Sequence, residues 1–200
     1  MDTMQKKRFI LASNSPRRVE LLKAVGYRFD IIPHRIEEYI SDSVSPADYV
    51  QNLAYLKAND VASRVDEALI LGADTIVLHK KNILGKPKDK DDAKRMLSML
   101  SNSEHDILSG VCLIDMPSKK KLLRFCRTFI RMRPVTEREI EEYVESGESM
   151  YKAGAYAIQG EGKKFIDKIE GSYSNVVGLP LETVKEMINN FVCDINAQKF

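Results

Sequence analysis

Only three cysteines, Cys112, Cys126 and Cys193, occur in 200 residues, and none shares a C-x-x-C spacing with another. An odd, scattered set of this kind argues against both a disulfide framework and a structural zinc site. Long hydrophobic runs are lacking as well. The most apolar stretch, Ala68 to Leu78, is interrupted by Asp74, so no transmembrane span is expected. Net charge is nearly absent, with 31 basic residues against 29 acidic ones leaving +2. That balance excludes a general nucleic-acid coat, which needs a broadly basic surface. Any basic site must be local. The Phe9–Ala12 apolar run behind the polar start is too short for a signal peptide, so a cytoplasmic protein is expected. Walker A, G-x-G-x-x-G and G-x-S-x-G patterns are all missing, and His34, His79 and His105 are too dispersed for a zinc triad.

What is present reads as an ordinary globular chain, 44% hydrophobic and 30% charged, without repeats or a linker that would divide it. One α/β domain over residues 1–200 is the expectation. Phe9–Ala12 reads as a strand. Ser15-Pro16 then supplies an N-cap with proline at the first helical position, and Gly26 closes that helix. Ser45-Pro46 with Asp48 opens a second helix, running to about Arg64, and Ala68–Leu78 reads as a central strand. Further along, a short strand is expected at Ile83–Gly85 and a helix over Asp89–Leu100. A hairpin follows around Met116-Pro117-Ser118, then a helix capped by Thr136 and Glu139 that stops at Gly147. Six of the ten glycines fall between Gly147 and Gly178, where the chain must turn tightly or approach a ligand closely. Helical periodicity returns only at Leu181–Val192.

Several charges stand where their surroundings disfavour them. Arg17 and Arg18 occupy the first helical turn behind Pro16, where the helix dipole favours acids by about 0.3–1 kcal/mol. Strand, Ser-Asn-Ser loop and helix N-terminus with two guanidinium groups make a candidate phosphate cradle. Lys57 falls inside the apolar stripe of Val50, Leu53, Ala54, Ala58 and Val61, so it either snorkels to solvent or meets an anion. Asp74 lies within the apolar strand, where an unpaired carboxylate costs several kcal/mol; it needs a metal, a cation or an opening into a site. Lys86, ending the next short strand, is either the partner of that carboxylate or a phosphate ligand. Glu37 and Glu38 could offer a second carboxylate to a divalent cation.

In order along residues 11–181, these segments resemble the signatures of the Maf family of nucleoside triphosphate pyrophosphatases, also described as septum-formation inhibitors. The likeness is carried by Leu11-Ala12-Ser13-Asn14-Ser15-Pro16-Arg17-Arg18, Ile36-Glu37-Glu38, Leu53-Ala54-x-x-Lys57-Ala58 and Gly72-Ala73-Asp74-Thr75. It continues through Ile83-Leu84-Gly85-Lys86-Pro87, Ser109-Gly110-Val111, the Lys152–Gly160 segment and Asn175-Val176-Val177-Gly178-Leu179-Pro180. The resemblance implies an α/β fold of the Maf and inosine-triphosphatase kind, a mixed twisted sheet flanked by helices in two lobes around a cleft, often dimeric. It implies hydrolysis of a nucleoside triphosphate to monophosphate and pyrophosphate with Mg²⁺ or Mn²⁺. Asp74, Lys86 and Lys57 would be catalytic, Ser13, Arg17 and Arg18 would bind substrate, and Glu38 with Asp74 would hold the metal. The Gly-Ala-Tyr-Ala-Ile-Gln-Gly segment resembles the branch acting on dTTP and UTP, with Arg17, Thr75 and Gln159 as specificity positions. One departure is Ser101-Asn102-Ser103, where the family more often has Ser-Gly-Arg.

These readings converge on water attacking the α-phosphorus, with Asp74 as general base or as holder of a metal-bound water. Two alternatives stay open on the sequence. One is a preference for 7-methyl-GTP or another non-canonical nucleotide; the other is a regulator of cell division that binds a nucleotide without turning it over.

Overall fold

The computed structural model describes residues 7–37 and 44–197, with side chains to residue 191. Glu38, the expected second metal carboxylate, therefore lies outside the described residues. Among the described residues seven strands form a mixed sheet: β1 (Phe9–Leu11), β2 (Asp30–Ile31), β3 (Ala68–His79), β4 (Asn82–Leu84), β5 (Glu104–Met116), β6 (Lys121–Met132) and β7 (Ile166–Glu170). Their order is β2-β1-β3-β5-β6-β7, with β4 paired to β3. β1 is parallel to both β2 and β3, whereas β3/β4 and β6/β7 are antiparallel. The helices are α1 (Pro16–Ala24), α2 (Pro46–Ala62), α3 (Lys90–Leu100), α4 (Glu137–Glu145), α5 (Tyr173–Val177) and α6 (Leu181–Ala197). No helix among the described residues is long and apolar enough to cross a membrane.

The chain divides into two compact units, and the divisions fall inside β3, β5 and β6 and between α5 and α6. Unit 1 comprises Met1–Asp74, Ser109–Cys126 and Gly178–Phe200. Here the two-residue period of the strands sorts side chains into two cores. Phe9, Leu11, Leu69, Leu71, Val111 and Leu113 pack with Leu22 of α1 and with Val184, Met187 and Ile188 of α6. The intervening residues, Ile10, Ala12, Ala68, Ile70, Cys112 and Ile114, pack with Ala54, Ala58 and Val61 of α2. By the same alternation Gly72 and Asp74 of β3, and Gly110 of β5, lie on the α2 side.

α2 starts where its cap predicts, because Ser45 Oγ accepts the Asp48 amide at 3.1 Å. Its close seating follows from two glycines. A Cβ on Gly72 would stand 2.8 Å from Ala58 Cβ and overlap the Ala54 carbonyl oxygen. A Cβ on Gly110 would overlap the Val50 carbonyl group one turn earlier. Adjacent strands thus carry bare backbone where the helix lies down.

Unit 2 comprises Thr75–Leu108 and Arg127–Val177. Its core joins Val77 and Leu84 to Met96, Leu97 and Leu100 of α3, Ile140, Tyr143 and Val144 of α4, and Phe165. α4 carries the full capping box, with Thr136 Oγ1 accepting the Glu139 amide and the Glu139 carboxylate accepting the Thr136 amide. Asn102 takes φ +53°, the left-handed conformation a glycine would adopt without cost and asparagine tolerates better than most residues. β7 was not expected; it fills part of the glycine-rich stretch that read as turns.

Candidate active site

α1 meets its first turn without the usual satisfactions. Ser15 is the N-cap residue but its side chain makes no capping bond, and no acid stands in the turn. Ser13 Oγ accepts the Ser15 amide at 3.1 Å. Arg18, 8% exposed, donates from Nε to the Gly178 carbonyl at 2.8 Å and from Nη1 toward Ser13 Oγ at 3.4 Å. Gly178 sits at φ +132°, so only glycine turns that carbonyl toward the guanidinium without strain. Arg17 is half-buried, and burial lowers its pKa from the ordinary value, with Glu20 pulling the other way. No hydrogen bond to the Arg17 guanidinium occurs among the described residues. A half-buried arginine in the first turn of a helix whose N-cap side chain makes no capping bond has the chemistry to receive an anion.

The misplaced pair of charges resolves into one contact. Lys57 Nζ donates to Asp74 Oδ1 at 2.6 Å, with the side chains 3% and 7% exposed. Lys57 does not snorkel to solvent; α2 lies close enough on Gly72 and Gly110 for its ammonium to reach the strand. Of the two roles open to Lys86, that of carboxylate partner falls to Lys57 instead, because the facing helix delivers a cation to that side of β3. Lys86 itself is exposed and makes no ion pair among the described residues.

Ser13 is thus brought against Arg18, and Lys57 against Asp74, both pairs within unit 1, with Arg17 beside Arg18 in the same turn. Thr75 follows Asp74 in β3 and is half-buried, and Gln159 is exposed between Ile158 and Gly160 in unit 2. Gly178 was missed as a site residue; its signal was a glycine lodged between apolar residues just before Pro180.

Among the described residues no group of three His, Cys, Asp or Glu side chains is gathered to hold a metal ion. Mg²⁺ commonly takes only one or two protein carboxylates and completes its shell with water and substrate phosphates. Asp74, with Oδ1 engaged by Lys57 and Oδ2 remaining, fits such a shared ion and not a fully caged one.

The family model described as Maf-like protein matches residues 8–191. The chain belongs to the Maf family. It is 47% identical over 183 residues to the dTTP/UTP pyrophosphatase of Ruminiclostridium cellulolyticum, covering 91% of this chain and 95% of that one. The dTTP/UTP pyrophosphatase of Alkaliphilus metalliredigens is 46% identical, with 92% and 95% covered. That of Dictyoglomus turgidum is 45% identical, with 93% and 97% covered. The Maf-family match spans both units, including every site residue named above.

Proposed function

We propose that this Maf-family chain hydrolyses dTTP and UTP to the monophosphate and pyrophosphate. The observation that carries the reading is the buried Lys57–Asp74 pair in the same unit as the Ser13, Arg17 and Arg18 cradle. A site that only held phosphates would have no use for a buried carboxylate beside its lysine. The relatives named dTTP/UTP pyrophosphatase, at 45–47% identity, support the substrate.

In the proposed reaction Arg17, Arg18 and Lys86 hold the triphosphate and neutralise charge as it moves toward the leaving group. Asp74 Oδ2 takes a proton from water as the water oxygen bonds to the α-phosphorus. The bond from that phosphorus to the bridging oxygen breaks, and pyrophosphate leaves with the electron pair. Lys57 fixes the Asp74 carboxylate through Oδ1 during this transfer. Glu38 would hold Mg²⁺ or Mn²⁺, with Asp74 sharing the ion until it takes up the proton; when bound, the ion would supply further positive charge at the phosphates. Thr75 and Gln159 are proposed to read the base; a Gln amide offers one acceptor and a donor group, matching the imide edge of uracil and thymine. The whole chain is read as one catalytic domain, at work in the cytoplasm as a homodimer.

The test is a screen of common and modified nucleoside triphosphates with the divalent ion added, resolving all products. Monophosphate and pyrophosphate from dTTP and UTP are expected in many turnovers per chain. Diphosphate with orthophosphate would refute attack at the α-phosphorus, and release of less than one equivalent would point to a sensor.

A further inference from the structure

We propose that Glu148 is a positioning residue for base recognition, its carboxylate fixing the stretch of backbone that presents Gln159. The inference rests on the functional reading above, in which Gln159 reads the pyrimidine. Gln159 is exposed and sits in a segment with little regular structure, so its aim depends on how the backbone around it is held. Both flanks of it lead to one carboxylate. Glu148 Oε2 accepts the Glu161 amide at 3.0 Å, and Oε1 accepts the Gly162 amide at 3.2 Å. Oε1 also accepts the Tyr143 hydroxyl at 2.9 Å, and that hydroxyl oxygen in turn accepts the Ala157 amide at 3.0 Å. Ala157 lies two residues before Gln159, and Glu161 two residues after it.

The clamp is anchored and close-fitting. Tyr143 is 2% exposed on α4 and meets Phe165 edge to face at 5.1 Å. Lys152 Nζ donates to the Glu148 carbonyl at 2.7 Å, tying the carboxylate's own backbone. Gly160 lies directly over the carboxylate, and a Cβ there would overlap it. Its φ of −122° is open to any residue, so the demand for glycine comes from Glu148 and not from the backbone. Burial alone would raise the Glu148 pKa, but the two amides, the phenol and Lys152 outweigh it and hold the carboxyl below its usual range. A charged acceptor of three hydrogen bonds costs much more to displace than a solvated glutamate.

The experiment compares Glu148→Gln, Tyr143→Phe, Gly160→Ala, Glu148→Ala and the Glu148→Ala/Gly160→Ala double variant with the wild type. Steady-state kinetics on dTTP, UTP and CTP would be set beside inhibition by inorganic tripolyphosphate, which has no base, and beside thermal midpoints. Glu148→Gln turns an acceptor into a donor facing an N–H, and should raise KM for dTTP and UTP by about tenfold, roughly one charge-assisted hydrogen bond. The preference for UTP over CTP should fall by a similar factor, while kcat and tripolyphosphate inhibition stay within about twofold. Tyr143→Phe should act in the same direction. Gly160→Ala should raise KM in the wild-type background and add nothing in the Glu148→Ala background. Unchanged KM and base preference in Glu148→Gln would overturn the proposal. So would equal losses in kcat, tripolyphosphate affinity and thermal midpoint, which describe general destabilisation. A wild type that releases no pyrophosphate from dTTP or UTP would overturn the functional reading first, and this inference with it.

Discussion

A carboxylate buried in an apolar strand must be answered by charge, and Asp74 is answered by Lys57 at 2.6 Å. Such a pair is poor at adding net stability, because both ions have left water, yet it is costly to break from one side. Lys57→Met should therefore destabilise the protein by about 3–5 kcal/mol, as should Asp74→Asn, each leaving one buried charge or polar group without its complement. The double variant Lys57→Met/Asp74→Asn should recover much of that loss in urea denaturation. Pyrophosphate release should fall by at least about 100-fold in all three, since the base is gone or no longer held. This separates the two duties of the pair. A double variant as unstable as the single ones would mean that the loss comes from something other than a broken ion pair, and an active one would remove Asp74 from the chemistry. Arg18 shows a related division of labour, its Nε spent on the Gly178 carbonyl so that the rest of the guanidinium is set in place. Removing Asp74 touches the reaction, whereas removing the Gly178 turn would touch only the aim of Arg18.

The contact between Lys57 and Asp74 exists because α2 lies unusually close to the sheet, and that closeness belongs to the elements. Gly72 of β3 and Gly110 of β5 present bare Cα atoms to the Val50–Ala58 stretch of α2. Gly72→Ala should cost about 1–3 kcal/mol through overpacking. By pushing the helix outward it should also lengthen the Lys57–Asp74 contact and lower kcat. A calorimetric midpoint and turnover measured together test this, and a Gly72→Ala protein that melts and turns over like the wild type would refute it. Much at this scale was legible beforehand. Ser45 with Asp48 and Thr136 with Glu139 named their helix starts, since caps are local chemistry. β7 was not legible because Ile166–Glu170 is a mostly exposed strand whose two isoleucines alternate with nothing. Lys57 and Asp74 announced themselves as charges inside apolar patterns. Their partnership did not, because it depends on a helix-to-strand distance that two glycines set from other parts of the chain. The Glu148 clamp was hidden for a similar reason: its carboxylate accepts amides 13 and 14 residues further on, and no local spacing marks that.

Over the whole molecule each unit buries its own set of apolar residues, and the two units differ in the polar groups they enclose. Unit 1 buries an ion pair; unit 2 buries imidazoles. His105 is 3% exposed, and its Nε2 shares a hydrogen bond of 2.7 Å with the Tyr156 hydroxyl. Its Nδ1 and both ring nitrogens of His79 have no partner among the described residues. Burial, with some repulsion from His79, pushes His105 down to about 3, and burial with Lys80 lowers His79 as well. In the unfolded chain both titrate near about 6.5. The folded state therefore binds fewer protons than the unfolded state at mildly acid pH. Stability is complete above about pH 6.5 and drains as pH falls toward the folded value. His105 alone sets a slope approaching about 1.4 kcal/mol per pH unit. The half-buried Glu148, its carboxyl held below the usual range, adds acid lability only from the usual glutamate range downward. Urea denaturation at about pH 8, 6.5 and 5.5 should show the loss setting in between the last two. His105→Gln, which can still bond Tyr156 but takes up no proton, should flatten the slope by close to one proton. A slope unchanged in His105→Gln would show that this histidine is not the group that titrates, and that the acid sensitivity of the protein has its source elsewhere.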